Sequence, residues 1–448
     1  MRVRTGNLVA GIAAWARRWD AILPLLAAEL IVWLGFGALL PIMPLYFTEH
    51  GIDLVTLGVV VAAWPAARLI GEPIFGWLAD RTRRVPLMVA GNVLAGVFLF
   101  LPLVFVGAVP FTILRAVAGL ATAMYDPAAR GYITDATPPE RRGEAFGLYG
   151  AAQMGGLLLG PAIGGLGATL FGGVAFIFVF GAISSFLAAA AIAIRVRERP
   201  HATGRLPAME LTEMGPQSEH LAARALPAAR PTDAADDWTG PATPDAPASL
   251  VNRWLAAAIL FTIGSNFAFG TYEVVWSIFL RGLGAGLELI GLTFALFGLP
   301  ILVLSPFFGR RIDRGSLTPY LVAGAALPVF AAIAYTMIQD PWLAVPLILV
   351  EATGSAIGSP ALFTVIALGS PVGRASTSQG IVGASGTLGF VIASLVTGAA
   401  AAIDIRLPFY LFAVVMTTLS LAAFAVAWPK LRERSAAVAV TAEVAGQV

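Results

Sequence analysis

Seven ionisable residues stand inside long apolar runs of a 448-residue chain: Glu29, Arg68, Glu72, Arg115, Asp126, Glu273 and Glu351. An ionisable side chain at the depth of a hydrocarbon layer costs about 2.5–3.5 kcal/mol on insertion scales, so each needs a physical reason to be there. A carboxylate in a low-dielectric cavity resists ionisation unless a cation is near, and its affinity for a proton rises. Such a group can load a proton when its site opens to one side and yield it to a cationic or polar substrate, without covalent chemistry. Glu29 is the first candidate for substrate or proton handling, with Arg115 as the cation that tunes a nearby carboxylate. Asp126 precedes Pro127, so it either takes part in coupling or satisfies backbone groups that the proline frees. Glu273 and Glu351 lie in the outer halves of their runs, as a second carboxylate pair or as outer gate groups. Arg68 and Glu72, four residues apart, are expected to form a structural ion pair. Trp33, Trp64, Trp276 and Gln153 are candidates for lining a cavity that accepts flat or cationic compounds.

Other chemistry is excluded or unsupported. The chain has no cysteine, which removes thiol nucleophiles and thiolate-held metals. His50, His201 and His220 are isolated, with no ligand spacing among them, and no metal site is expected. No HExxH, GxSxG or paired-aspartate constellation is present, so no catalytic residue is assigned and the chain is not read as a membrane enzyme.

The elements that position these residues follow from composition. Hydrophobic residues make up 58% of the chain, charged residues 12%, and mean hydropathy is +0.83. Ordinary soluble domains carry about 25% charged residues. A helix of about 20 apolar residues crosses a bilayer, and twelve such runs can be read: 21–47, 55–79, 85–106, 109–134, 143–168, 173–195, 254–280, 287–309, 317–338, 342–368, 376–402 and 405–428. The pattern lacks barrel alternation, so an all-α membrane protein is expected, its backbone polar groups satisfied within each helix. The first run is too long for a cleavable leader.

Of the 28 Lys and Arg residues, 24 fall on one side if the N-terminal segment is cytoplasmic, which places both termini there. The basic pI of 9.1 is therefore a topology signal, with no nucleic-acid partner expected. Five segments follow: an N-terminal segment 1–19, a six-helix bundle 20–195, a linker 196–252, a second bundle 253–430 and a tail 431–448. The linker is rich in proline and mixed charge, a composition that predicts mobility.

The two bundles repeat each other. At an offset of 233 residues Gly58 falls on Gly291, Pro73 on Pro306, Gly76 on Gly309, Asp80 on Asp313 and Arg81 on Arg314. Pro127 falls on Pro360, Arg141 on Arg374, Gly147 on Gly380, Gly150 on Gly383 and Gly156 on Gly389. Six-plus-six parallel repeats place a substrate site between the halves near the midplane, exposed to each side in turn by rocking.

Several motifs carry a resemblance. Gly76-Trp77-Leu78-Ala79-Asp80-Arg81-Thr82-Arg83-Arg84, between the second and third runs, resembles the G-x-L-a-D-r-x-G-r loop of the major facilitator superfamily, with Arg83 where glycine is usual. A weaker copy is Gly309-Arg310-Arg311-Ile312-Asp313-Arg314. By that resemblance Gly76, Asp80, Arg81, Arg84 and Asp135, with Asp313 and Arg314 in the second copy, form a cytoplasmic latch. In the fifth run Gly147, Gly156, Gly160-Pro161 and Gly164-Gly165 match g-x₈-G-x₃-G-P-x₂-G-G, which looks like the motif of proton-driven drug antiporters. The spacing sets Gly156, Gly160 and Gly164 on one face, where a helix from the other half is expected to approach closely. Arg115-Ala116-Val117-Ala118-Gly119 resembles the R-x-x-q-G element, with Ala118 replacing glutamine.

The resemblance implies a twelve-helix carrier in the cytoplasmic membrane of a bacterium, exporting drugs or other small lipophilic compounds in exchange for protons. The proton is the coupling ion and no cofactor is expected. The partners are a small-molecule substrate and the lipid bilayer, and the chain is expected to be a monomer. The alternative on the same fold is a carrier of sugars, organic acids or other metabolites, in either direction.

Overall fold

The computed structural model describes residues 15, 17–138, 141–171, 173–198, 249–312, 316–371 and 375–445. Most of the expected linker, together with Asp313, Arg314 and Arg374, lies outside the described residues. Among the described residues the chain is helical, with no strand.

The first half consists of α1 (Leu23–Leu39), α2 (Met43–Glu49), α3 (Leu54–Ala79), α4 (Arg84–Phe100), α5 (Ala108–Ala136), α6 (Arg142–Leu170) and α7 (Phe176–Arg195). The second consists of α8 (Arg253–Gly282), α9 (Leu287–Ile312), α10 (Thr318–Tyr335), α11 (Ala344–Gly369), α12 (Ala375–Ile403) and α13 (Leu407–Ala445). Ten of these are long and apolar enough to cross a membrane, and α1 with α2, bent by 43° between them, makes another span. The twelfth is α6, whose nine glycines and one proline dilute its hydropathy without shortening it. The last helix runs on to Ala445, past the end of the expected bundle at 430.

Local chemistry explains the boundaries. Asp53 caps α3, accepting from the Thr56 N–H at 3.0 Å and its hydroxyl at 2.6 Å. The Thr56 hydroxyl bond holds the Asp53 carboxyl below its usual range. Asn252 caps α8 through the Leu255 N–H at 2.9 Å. Gly107 and Gly284, with φ of 127° and 91°, take backbone conformations at the entries to α5 and α9 that a side chain would strain. Pro65, Pro73, Pro127, Pro161, Pro300, Pro306 and Pro360 lie inside helices. Spanning helices tolerate this because neighbours re-satisfy the freed carbonyls.

The core differs between the two ends of the bundle. At the end away from the arginine-rich loops, one continuous cluster joins the halves, with Ile42, Phe47, Phe111 and Phe178 packed with Trp276, Tyr335 and Phe409. At the arginine-rich end each half has its own core, around Trp19, Met88, Tyr132 and Ile192 in the first and around Leu255, Ile312, Leu321 and Val365 in the second. Trp19, at the end of a span where an interface anchor is common, is buried there. The halves are thus closed on the far side and parted on the basic side.

Candidate functional site

Between α1, α3, α4 and α5 lies a small cavity of about 60 Å³, lined by Trp33, Phe36, Trp64, Arg68, Asn92, Arg115, Tyr125 and Asp126 among others. Its wall is aromatic, with Trp33 edge-on to Phe36 at 5.4 Å between centroids and Phe36 stacked on Trp64 at 5.2 Å. Arg68 lies over the Trp64 ring at 4.8 Å and Arg115 at 5.9 Å, so that indole is already engaged by the protein's own cations.

Four acid groups are buried within the spans, each with its own partners, and of these Asp126 lines the cavity. Glu29, fully buried on α1, accepts from Trp33 Nε1 at 2.8 Å, from Gln153 Nε2 at 2.6 Å and from the Tyr125 hydroxyl. All three donors are neutral. Asp126 on α5 accepts from Arg68 Nη2 at 2.6 Å, with the half-exposed Arg130 at 3.6 Å. Arg68 also pairs with Glu72, as the four-residue spacing predicts. Asp126 therefore takes a cation from a neighbouring helix and not the backbone groups freed by Pro127. Glu273 on α8 accepts from Arg115 Nη2 at 2.7 Å, a buried ion pair that crosses from one half to the other. Glu351 on α11 accepts from the Tyr335 hydroxyl at 2.9 Å inside the second half.

Several expectations need correction. Glu273 and Glu351 do not form a carboxylate pair, since each has a separate partner. Trp276 does not line the cavity: it is buried in an aromatic cluster 4.7 Å from Tyr335, and its Nε1 donates to Thr293 Oγ1 at 3.0 Å. The glycine face of α6 packs against α1 of its own half, not against the other half. A methyl group on Gly156 would stand 2.7 Å from the Leu30 carbonyl, one on Gly160 2.6 Å from that of Leu34, and Gly164 abuts Ala38. Only Gly165 reaches across, where the same addition would meet the Leu287 carbonyl at 2.6 Å and Gly291 Cα at 3.1 Å. Pro161 touches both sides: its Cδ would lie 3.1 Å from a Cβ on Gly37 of α1, and its carbonyl faces Gly291 of α9.

The latch residues of the first half do come together. Arg84, largely buried, pairs with Asp135 and reaches Asp80 at 3.5 Å. Gly131 leaves the room it needs, since a Cβ there would lie 2.6 Å from the guanidinium carbon. Gly76 sits against Pro127, whereas Arg81 is drawn over Trp77 at 4.3 Å.

Sequence reasoning missed Glu198, which accepts from the N–H groups of Arg84 and Val85 at 2.9 and 3.0 Å and so caps α4. It also missed Tyr125 and Tyr335, because tyrosine within a span reads as an interfacial anchor. The adjacency of Tyr125 to Asp126 was the available signal.

A family profile described as Major Facilitator Superfamily matches residues 25–378 and again 256–445. The chain belongs to the major facilitator superfamily. It is therefore a carrier, not an enzyme, and its twelve helices are that fold. Over 138 residues it is 31% identical to quinolone resistance protein NorA of Staphylococcus aureus (strain MRSA252), covering 30% of this chain and 35% of NorA. It is 30% identical over 173 residues to multidrug resistance protein 2 of Bacillus subtilis (strain 168), covering 38% and 40% of the two chains. The similarity thus spans well under half the length of either relative. Among solved structures, a bacterial homolog of the human lysosomal transporter Spinster, inward-facing and occupied, superposes with a TM-score of 0.72 at 14% identity, over 92% of this chain and 97% of that one. The nucleoside transporter NupG gives 0.68 at 12% identity, over 90% and 98%.

Proposed function

We propose that this protein is a secondary active transporter that exports drugs or other small lipophilic compounds in exchange for protons, by alternating access. Glu29 carries the reading: it is fully buried beside an aromatic cavity, and its hydrogen-bond partners are all neutral. Asp126 and Glu273, by contrast, have arginine partners. A buried carboxylate held only by neutral donors is suited to be neutralised in turn by a proton and by a cationic substrate. The partial similarity to NorA and to multidrug resistance protein 2 supports export of drugs. The excess of arginine on one side supports both termini inside, the similarity to bacterial resistance proteins supports a bacterial cytoplasmic membrane, and the parted basic side is then the cytoplasmic mouth.

The chemistry needs no bond to form. On this reading the parted basic side is the route by which Glu29 releases its proton to the cytoplasm as substrate enters. The Arg115–Glu273 pair ties the halves together on the far side while this happens.

The test is reconstitution in vesicles holding a pH-sensitive dye, with an imposed proton gradient and compounds added singly. Lipophilic cations or quinolones should trigger proton movement that Glu29→Gln abolishes while the variant still inserts. Undiminished proton exchange in Glu29→Gln would remove Glu29 from the mechanism. Movement of sugars or organic acids without response to drugs would replace export of drugs with carriage of metabolites.

A further inference from the structure

Glu29 is fully buried, yet its bonds do not serve its two protonation states equally. Its Oε1 accepts from Trp33 Nε1 at 2.8 Å and from Gln153 Nε2 at 2.6 Å, and its Oε2 accepts from the Tyr125 hydroxyl. Three donors suit an ionised carboxylate, because each offsets part of its lost hydration. The protonated form has a different need. Its own O–H becomes a donor, and a buried donor without an acceptor carries the full desolvation penalty. An indole N–H only donates, and Gln153 would accept only by turning its amide over on an oxygen shared with Trp33. Tyr125 already serves as a donor to Oε2.

One further hydroxyl is at hand. Tyr149 stands four residues before Gln153, on the same face of α6 and one turn nearer its basic end. The side chain is buried, at 4% exposure. Its hydroxyl lies beside the Glu29 carboxyl, just outside the geometry of a full hydrogen bond, and has no hydrogen-bond partner among the described residues. Buried hydroxyls are seldom left unbonded, so this one needs a reason.

The charged groups nearby are engaged elsewhere. Asp126 of α5 is held by Arg68 of α3, which also holds Glu72, and Arg130 stands 3.6 Å from it. Glu144, in the first turn of α6 with Arg142, pairs with Arg18 at 3.6 Å. The sole titratable residue of α7, which also packs on α1, is Arg195 at its basic end.

We infer that Tyr149 is the positioning residue of the proton-loaded state: its hydroxyl oxygen accepts the Glu29 O–H, while Tyr125, Trp33 and Gln153 hold the ionised state. Loading then forms one O–H bond on Glu29 and one hydrogen bond to Tyr149, and the three existing donors stay in place. The inference rests on the reading of Glu29 as the proton carrier and not on what is exported.

The test uses the whole protein in detergent without substrate, and the probe is the proton itself. Infrared difference spectra are recorded across a pH titration, and the carboxyl C=O band that disappears in Glu29→Gln is the Glu29 signal. Removing a donor from the ionised form and removing an acceptor from the acid form act in opposite directions. Tyr125→Phe should move the midpoint of that band to higher pH, and Tyr149→Phe should move it to lower pH, each by about a tenfold change in proton affinity. Tyr149→Phe should also displace the band itself, since the acid O–H loses its hydrogen bond. A packing role for Tyr149 would alter the melting temperature and neither of these. If Tyr149→Phe does not fold, Tyr149→Met asks the same question. A midpoint that stays in place, or rises as in Tyr125→Phe, would overturn the inference and leave Glu29 as the proton carrier. A Glu29 band that titrates at no pH where the protein stays folded would remove that carrier reading, and this inference with it.

Discussion

Arg115 and Glu273 are 158 residues apart in the chain, yet they make a buried ion pair that spans the two halves. Removing one partner of such a pair leaves the other charge buried alone and costs about 3–5 kcal/mol, whereas replacing both with apolar groups is often near neutral. Arg115→Met should therefore lower the melting temperature of the purified protein markedly, and Arg115→Met with Glu273→Leu should recover most of it. A double variant as unstable as the single would mean that Arg115 acts through packing on Trp64, not through its charge. At this scale the sequence was readable where a residue type was out of place: Glu29, Arg68, Arg115 and Glu351 stand out because ionisable groups are costly in an apolar run. Apart from Glu72, four residues beyond Arg68, their partners were not readable. Tyrosine, tryptophan and glutamine inside a span give no cost signal, and a pairing between distant helices leaves no spacing to find.

Helix faces show the same limit one level up. The glycine spacing of α6 announced a close-packed face but not which helix would meet it, since any neighbour with a small or bare backbone surface satisfies it equally. Here the partner is α1, with Gly37 and Ala38 supplying that surface. Gly160→Leu should therefore be strongly destabilising, by about 1–3 kcal/mol or more for overpacking against a carbonyl, and should lower the yield of monodisperse protein. Gly150→Leu, at an open position of the same helix, should leave the melting temperature unchanged. Equal losses at both sites would mean that α6 tolerates no bulk anywhere and that its packing on α1 is not special. Cap positions were legible in part. Asp53 and Asn252 precede apolar runs as capping residues do, but Glu198 caps α4 from 114 residues away.

For the whole molecule, twelve spans and a six-plus-six repeat were legible because hydropathy and the 233-residue offset are summed over hundreds of residues. The state was not legible, since a repeat present in both halves does not say at which end they are packed together. Orientation is testable directly: green fluorescent protein fused after Val448 should fluoresce, and alkaline phosphatase inserted at Gly284 should be active. The reverse pattern would invert the topology and make the parted mouth external. Gly58 of α3 lies against Gly398 of α12 as Gly165 of α6 lies against Gly291 of α9, and the 233-residue offset carries one crossing onto the other, which bears on ancestry. Two identical six-helix chains meeting about a twofold axis would make it without any further change, Gly58 of each copy against Gly165 of the other. The Arg115–Glu273 bond has no such twin, because the offset puts Ile348 and Leu40 in the corresponding places. Closure is thus the part that symmetry alone could have supplied, and the buried charge is where the two copies, once joined in one chain, were free to diverge.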